Sequence, residues 1–121
     1  ISNTMNNHDD DNIKSLTVQE LKALTEEKEE GKDFFLLDVR TKEEKKFSDI
    51  GGNLLPLQEI DSRYSELEGK ENETIIVYCH HGIRSFHACM FLKEKGFKNL
   101  VNLVGGIDAW SLEVDEKVPR Y

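Results

Sequence analysis

Cysteine is scarce in this chain: Cys79 and Cys89 are the only two, and they form no CxxC pair. So low a count excludes the disulfide-stapled scaffold of small secreted domains and favours a reducing compartment where thiols stay free for chemistry. Long apolar runs are missing as well. The longest, Thr74-Ile75-Ile76-Val77-Tyr78, falls far short of the about 20 residues a bilayer span needs. The first residues are polar and Asp9-Asp10-Asp11 follows, so the sequence shows no secretory leader. No membrane association is expected, and the expected location is cytoplasmic. Positive charge is also short: 16 Lys and Arg stand against 24 Asp and Glu, a net charge of −8 with no basic stripe. That excludes nucleic acid as an expected partner. An anionic substrate would have to be attracted by a local field working against the overall one.

What is present suits one globular domain with a modest core: 121 residues, 37% hydrophobic and 33% charged. Residues 1–12 are polar and acidic with nothing periodic to bury, and read as a flexible arm. Residues 13–121 read as the domain. Thr17-Val18-Gln19-Glu20 is a capping box that opens a helix with Val18, Leu21 and Leu24 on one face, and Gly31 marks its expected end. Phe34-Phe35-Leu36-Leu37 has strand length. A second box, Thr41-Lys42-Glu43-Glu44, starts a short helix reaching about Phe47, and Leu54-Leu55 before Pro56 suggests a brief strand. Ile60, Tyr64 and Leu67 recur at helical spacing. A strand over Ile75-Ile76-Val77-Tyr78, a helix from Phe86 to Lys95, a strand from Leu100 to Val104 and a short helix around Asp108 to Leu112 complete the chain.

Strands apolar on both faces and alternating with helices predict an α/β fold: a central, mostly parallel sheet of about five strands with helices on both faces. Right-handed crossovers point every strand's carboxyl end to one edge, where ligands bind. Asp38-Val39-Arg40, Cys79 and Gly105-Gly106 all fall there. That edge is the expected site.

Cys79-His80-His81-Gly82-Ile83-Arg84-Ser85 joins a buried strand to a helix. A thiol at such a junction faces main-chain N–H groups and the positive end of a helix, both of which favour thiolate over thiol. Arg84 and partly protonated imidazoles of His80 or His81 would act in the same direction. Gly82 permits the tight turn that brings N–H groups around a bound atom, making a cradle for an anion or a developing charge.

Cys79-x-x-Gly82-x-Arg84-Ser85 after Ile75-Ile76-Val77-Tyr78 resembles the active-site loop of the rhodanese family. Leu37-Asp38-Val39-Arg40 with Glu44 resembles that family's earlier motif, and Gly105-Gly106-Ile107-Asp108-Ala109-Trp110 its closing one. Order and spacing fit from about Ile13 to Tyr121. The ending, through Val118-Pro119-Arg120-Tyr121, is also similar to the rhodanese domain attached to some sulfur-carrier activating enzymes. The resemblance implies a single rhodanese-like domain that acts as a sulfurtransferase. Cys79 would take sulfane sulfur from a small anionic donor such as thiosulfate and hold it as a persulfide. A thiol, cyanide or a protein acceptor would then remove it. The family implies no metal or organic cofactor. It assigns the cradle to the N–H groups from His80 to Arg84 and the donor contact to Arg84, and it places Asp38 and Arg40 where relatives brace the loop. One departure is visible: Ser48-Asp49-Ile50-Gly51 stands where relatives often carry Gly-His-Ile before a glycine.

Plainer roles compete for each residue. Cys89 sits mid-helix beside Ala88 and Leu92 and reads as structural. His80 and His81 read equally well as solvent-facing, and two adjacent histidines make no metal site without further ligands, with His87 poorly placed. Arg84 could pair with an acid such as Asp38 to stiffen the loop, Ser85 could cap the helix, and Trp110 could simply pack. Among other functions, cysteine phosphatases and arsenate reductases also use a Cys…Arg loop, but with one residue more than His80-His81-Gly82-Ile83 provides. A binding module or a sulfur relay, served by a sulfur-carrier or cysteine-desulfurase partner and with little free thiosulfate activity, is the alternative within the family.

Overall fold

A computed structural model describes residues 13–121; the stretch read as an acidic arm lies outside the described residues. Five strands form one sheet: β1 (Ile13–Leu16), β2 (Phe35–Asp38), β3 (Asn53–Leu54), β4 (Thr74–Tyr78) and β5 (Asn99–Leu103). Their order is β1-β5-β4-β2-β3 and every pairing is parallel. The helices are α1 (Val18–Glu27), α2 (Lys42–Phe47), α3 (Ile60–Arg63), α4 (Ile83–Glu94) and α5 (Gly106–Glu113), with single 3₁₀ turns on either side of α3.

The buried strands are apolar on both faces because both faces are covered. In β4, Ile75 and Val77 point into a cluster with Ala88, Cys89 and Leu92 of α4 and Ile60 of α3. Ile76 and Tyr78 point the opposite way, to Val18 and Leu21 of α1 and Ile107 of α5. This period of two across a sheet clad by helices is the expected parallel α/β arrangement.

Both capping boxes form. The Thr17 hydroxyl accepts the Glu20 N–H at 3.1 Å while the Glu20 carboxylate accepts the Thr17 N–H at 2.9 Å. Thr41 and Glu44 repeat the exchange at 3.1 and 3.0 Å.

Three elements depart from the sequence expectation. β1 was not expected, because only Ile13 and Leu16 are apolar in a short edge strand that pairs on one side with β5. α1 stops at Glu27, ahead of Gly31: beyond Leu24 only polar side chains follow, so packing supports no further turn. α4 begins at Ile83, three residues before Phe86, because Gly82 adopts a left-handed conformation (φ +105°) as its N-cap. This early start brings the first turn of α4 up to Cys79.

The end of β2 carries a buried ion pair. Arg40 and Asp38 are both 0% exposed. Arg40 Nε and Nη2 donate to the two Asp38 carboxylate oxygens at 2.9 and 2.8 Å. The guanidinium also donates to the Ser48 carbonyl (2.7 Å), the Glu44 carbonyl (3.3 Å) and the Tyr121 hydroxyl (3.0 Å), so it closes the carboxyl end of α2. Burial alone would make Arg40 less basic; the hydrogen bonds to Asp38 and Tyr121 outweigh it and hold the charge. Replacing one partner of such a pair strands the other charge. Arg40→Met leaves Lys45, 3.8 Å away, as the nearest cation to Asp38, and is expected to lower the urea-unfolding free energy by about 3 kcal/mol. Lys22→Met, which breaks the exposed pair with Glu26, should change it by less than about 1 kcal/mol. Equal effects from the two substitutions would contradict a structural role for the buried pair.

Candidate active site

The carboxyl edge of the sheet gathers the ends of β2, β4 and β5. Cys79 follows β4 directly, and its Sγ accepts the main-chain N–H of Gly82 at 3.1 Å and of Ser85 at 3.2 Å. Both donors belong to the mouth of α4, where N–H groups lack partners inside the helix and the dipole is positive. Cys79 is 1% exposed, so the sulfur lies under the loop with these amides turned inward toward it. A thiol proton here points to Ser85 Oγ, 3.3 Å away, and that hydroxyl donates onward to Asn102 Oδ1. Asn102 in turn donates from Nδ2 to the Gly82 carbonyl at 3.1 Å, which props the loop from β5.

A second brace comes from α5. The N–H groups of Ile107 and Asp108 donate to the carbonyls of Cys79 (2.9 Å) and His80 (3.1 Å). The two chains approach so closely that a Cβ on Gly106 would stand 2.4 Å from both carbonyl oxygens. Glycine at 106 is therefore a condition of the contact.

The remaining loop residues take distinct places. Arg84 does not reach Asp38; it forms a two-pronged pair with Glu44, Nη1 to Oε1 and Nη2 to Oε2, each 2.8 Å. Asp38 is already committed to Arg40, which explains the change of partner. The Arg84 bond is the main reason the Glu44 carboxyl is held well below the usual carboxylate range. Ser85 lies in the first turn of α4, fully buried, and does not cap it; Gly82 does. Ile83 turns its side chain to solvent.

His80 is sandwiched between His81 (ring centroids 3.8 Å) and Tyr121 (3.9 Å, planes 7° apart). Burial, reinforced by the neighbouring His81, lowers its pKa, which works against the protonated imidazole anticipated at this position. His81 is exposed, with Nε2 3.7 Å from Asp108 Oδ2. Together with His80 these two place potential metal-ligand atoms within 4.8 Å of one another, although Asp108 is already engaged by Arg120 Nε at 2.9 Å. Cys89 is buried in α4, its thiol pushed up to about 12 chiefly by burial, consistent with a packing role. The Ser48-to-Gly51 segment, which departs from the rhodanese pattern, ties loops together: the Gly51 carbonyl accepts the Tyr78 hydroxyl at 2.8 Å.

Four residues that shape the site were not singled out from the sequence. Glu44 was visible only as part of a motif. Asn102 had a faint signal, a polar residue inside an apolar strand. Asp108 and Tyr121 stand in the closing motif and in the ending with no role that the sequence assigns them, since their contacts bridge distant parts of the chain; Tyr121 meets Arg40 across 81 positions.

Because Glu44 ionises more readily folded than unfolded, its contribution to stability is complete above its ordinary value of 4.5 and disappears as pH falls toward the folded value. The gap in unfolding free energy between the parent chain and Glu44→Gln is expected to be wide at neutral pH and to narrow in acid. An unchanged gap at both pH values would contradict the ion pair.

Comparison with known proteins identifies the family. The family model for the rhodanese-like domain matches residues 17–113. The chain is 34% identical over 105 residues to YrkF of Bacillus subtilis (strain 168), named as a candidate sulfur carrier protein. That match covers 86% of this chain and 56% of YrkF, so the chain spans little more than half the length of that relative. It is also 34% identical over 90 residues to a sulfurtransferase of Allochromatium vinosum, covering 74% of this chain and 82% of that protein. Among solved structures, a rhodanese-like domain protein from Staphylococcus aureus superimposes with a TM-score of 0.72 at 29% identity, over 89% of this chain and 98% of the other. On the match of the family model and the shared fold, this chain belongs to the rhodanese-like domain family.

Proposed function

We propose that this domain is a sulfurtransferase that carries sulfane sulfur on Cys79 as a persulfide, taking it from a small anionic donor such as thiosulfate. The observation that carries the reading is the pair of N–H groups, from Gly82 and Ser85, directed at Sγ. They are placed to meet negative charge on the nucleophilic sulfur without any rearrangement at the moment of reaction.

In the first step the Cys79 thiolate attacks the outer sulfur of thiosulfate. A new S–S bond forms at Cys79, the S–S bond of thiosulfate breaks, and sulfite leaves with the bonding pair. In the second step a nucleophile such as cyanide or a thiolate attacks the terminal persulfide sulfur, and Cys79 departs as thiolate into the same two amides. The charge that returns to Sγ is thus met by donors already in place. Two covalent half-reactions imply ping-pong kinetics. Arg84, held by Glu44 beside the loop, supplies a local cation for the anionic donor in a chain whose net charge is −8.

A relay role, in which a protein both loads and unloads Cys79, is a second reading supported by the similarity to YrkF. Faster loading from a cysteine desulfurase than from thiosulfate would select it. For either route, intact-mass measurement should show a gain of about 32 Da on exposure to the donor, lost on adding cyanide. Cys79→Ser is expected to abolish the gain and Cys89→Ser to retain most of it. Full loading of Cys79→Ser would overturn the assignment of the nucleophile.

A further inference from the structure

The segment after α5 returns across the carboxyl edge of the sheet and is anchored there. Val114 and Val118 pack on the α1/α5 side of the core. The Ser48 hydroxyl donates to the Pro119 carbonyl at 2.7 Å, and Arg120 pairs with Asp108. The segment then presents Tyr121 to the site. The Tyr121 ring lies flat on His80 and meets the Phe47 ring edge-on at 5.7 Å. Its hydroxyl accepts from Arg40 Nη1 at 3.0 Å and donates to Glu44 Oε2 at 2.8 Å.

Because Glu44 holds Arg84 with both oxygens, Tyr121 grips the nucleophile loop at two points. It touches His80, the first residue after Cys79, directly. It touches Arg84, at the other end of the loop, through one shared carboxylate. Gly82, whose N–H meets Sγ, lies between those points. The neutral phenol links one member of each of two ion pairs, because it accepts from the Arg40 guanidinium of one and donates to the Glu44 carboxylate of the other. Partial burial pushes the Tyr121 hydroxyl up to about 12, so it keeps its proton at neutral pH.

We propose that Tyr121 is a positioning residue for the Cys79 loop, its ring fixing His80 and its hydroxyl fixing Arg84 through Glu44. This rests on the sulfurtransferase reading for its kinetic consequence, but not for its effect on access to Cys79. A tyrosine that merely covered Phe47 would affect stability and nothing else.

The test compares the full chain with Tyr121→Phe, which keeps the ring and loses the hydroxyl, and Tyr121→Leu, which loses both. Two quantities are read: thiosulfate:cyanide kinetics, and the rate at which iodoacetamide modifies Cys79, followed by peptide mass mapping. Tyr121→Phe is expected to raise KM for thiosulfate by about threefold to tenfold with kcat within about twofold. Tyr121→Leu should raise KM at least as much and speed alkylation of Cys79 by about threefold or more, because the loop that hides the sulfur opens more often. If both variants keep the parent KM and alkylation rate and lose only melting temperature, the positioning role is overturned. If the parent chain transfers no sulfur while Tyr121→Leu still alkylates faster, the positioning role stands and the sulfurtransferase reading falls.

Discussion

Everything in the site follows from how one sulfur atom meets two main-chain amides at a helix mouth. Sγ of Cys79 accepts from Gly82 and Ser85 only because β4 ends where α4 begins, with a left-handed glycine making the turn. A side-chain donor would have to be ordered for each reaction; peptide N–H groups in the first turn of a packed helix are already fixed. The cost is that the turn from Cys79 to Gly82 must stay folded over the sulfur, against the first turn of α4.

The surrounding structure supplies the restraint from three directions. Asn102 on β5 reaches the Gly82 carbonyl and the Ser85 hydroxyl. The amino end of α5 donates two N–H groups to the loop carbonyls, at a separation that tolerates nothing larger than glycine at 106. The third restraint is a chain of charges and hydrogen bonds, Asp38 to Arg40 to Tyr121 to Glu44 to Arg84. It begins in a fully buried pair and ends on the partly exposed Arg84. A Cys79 loop tied at both ends to a buried ion pair is held where its amides point inward, while the Arg84 guanidinium stays near solvent.

Much of this was legible in the sequence, for reasons that separate cleanly. Local signals carried well: both capping boxes formed, and the apolar runs at Phe35 and Ile75 became β2 and β4. The convergence of Asp38, Cys79 and Gly105 on one edge followed from parallel topology alone. Signals failed where pairing or packing decides. β1 has too few apolar residues to announce itself and exists through its ladder with β5. The sequence leaves Arg84 a donor contact or an acidic partner such as Asp38; the acid it takes is Glu44, because Asp38 is consumed by Arg40, and no local pattern shows which of two arginines a buried carboxylate will take. The role of Tyr121 does not show in the sequence for the same reason, since only the folded chain brings it to His80 and Glu44.

Amide NMR tests whether the Gly82 and Ser85 amides hold the ionised sulfur of Cys79. The ¹H–¹⁵N resonances of the parent chain and of Cys79→Ser would be followed across the pH range in which the thiol ionises. Downfield movement of the Gly82 and Ser85 amide protons on ionisation, absent in Cys79→Ser, is the predicted result. Amide protons at those two positions that do not respond to ionisation of Cys79 would mean that these amides do not hold the sulfur.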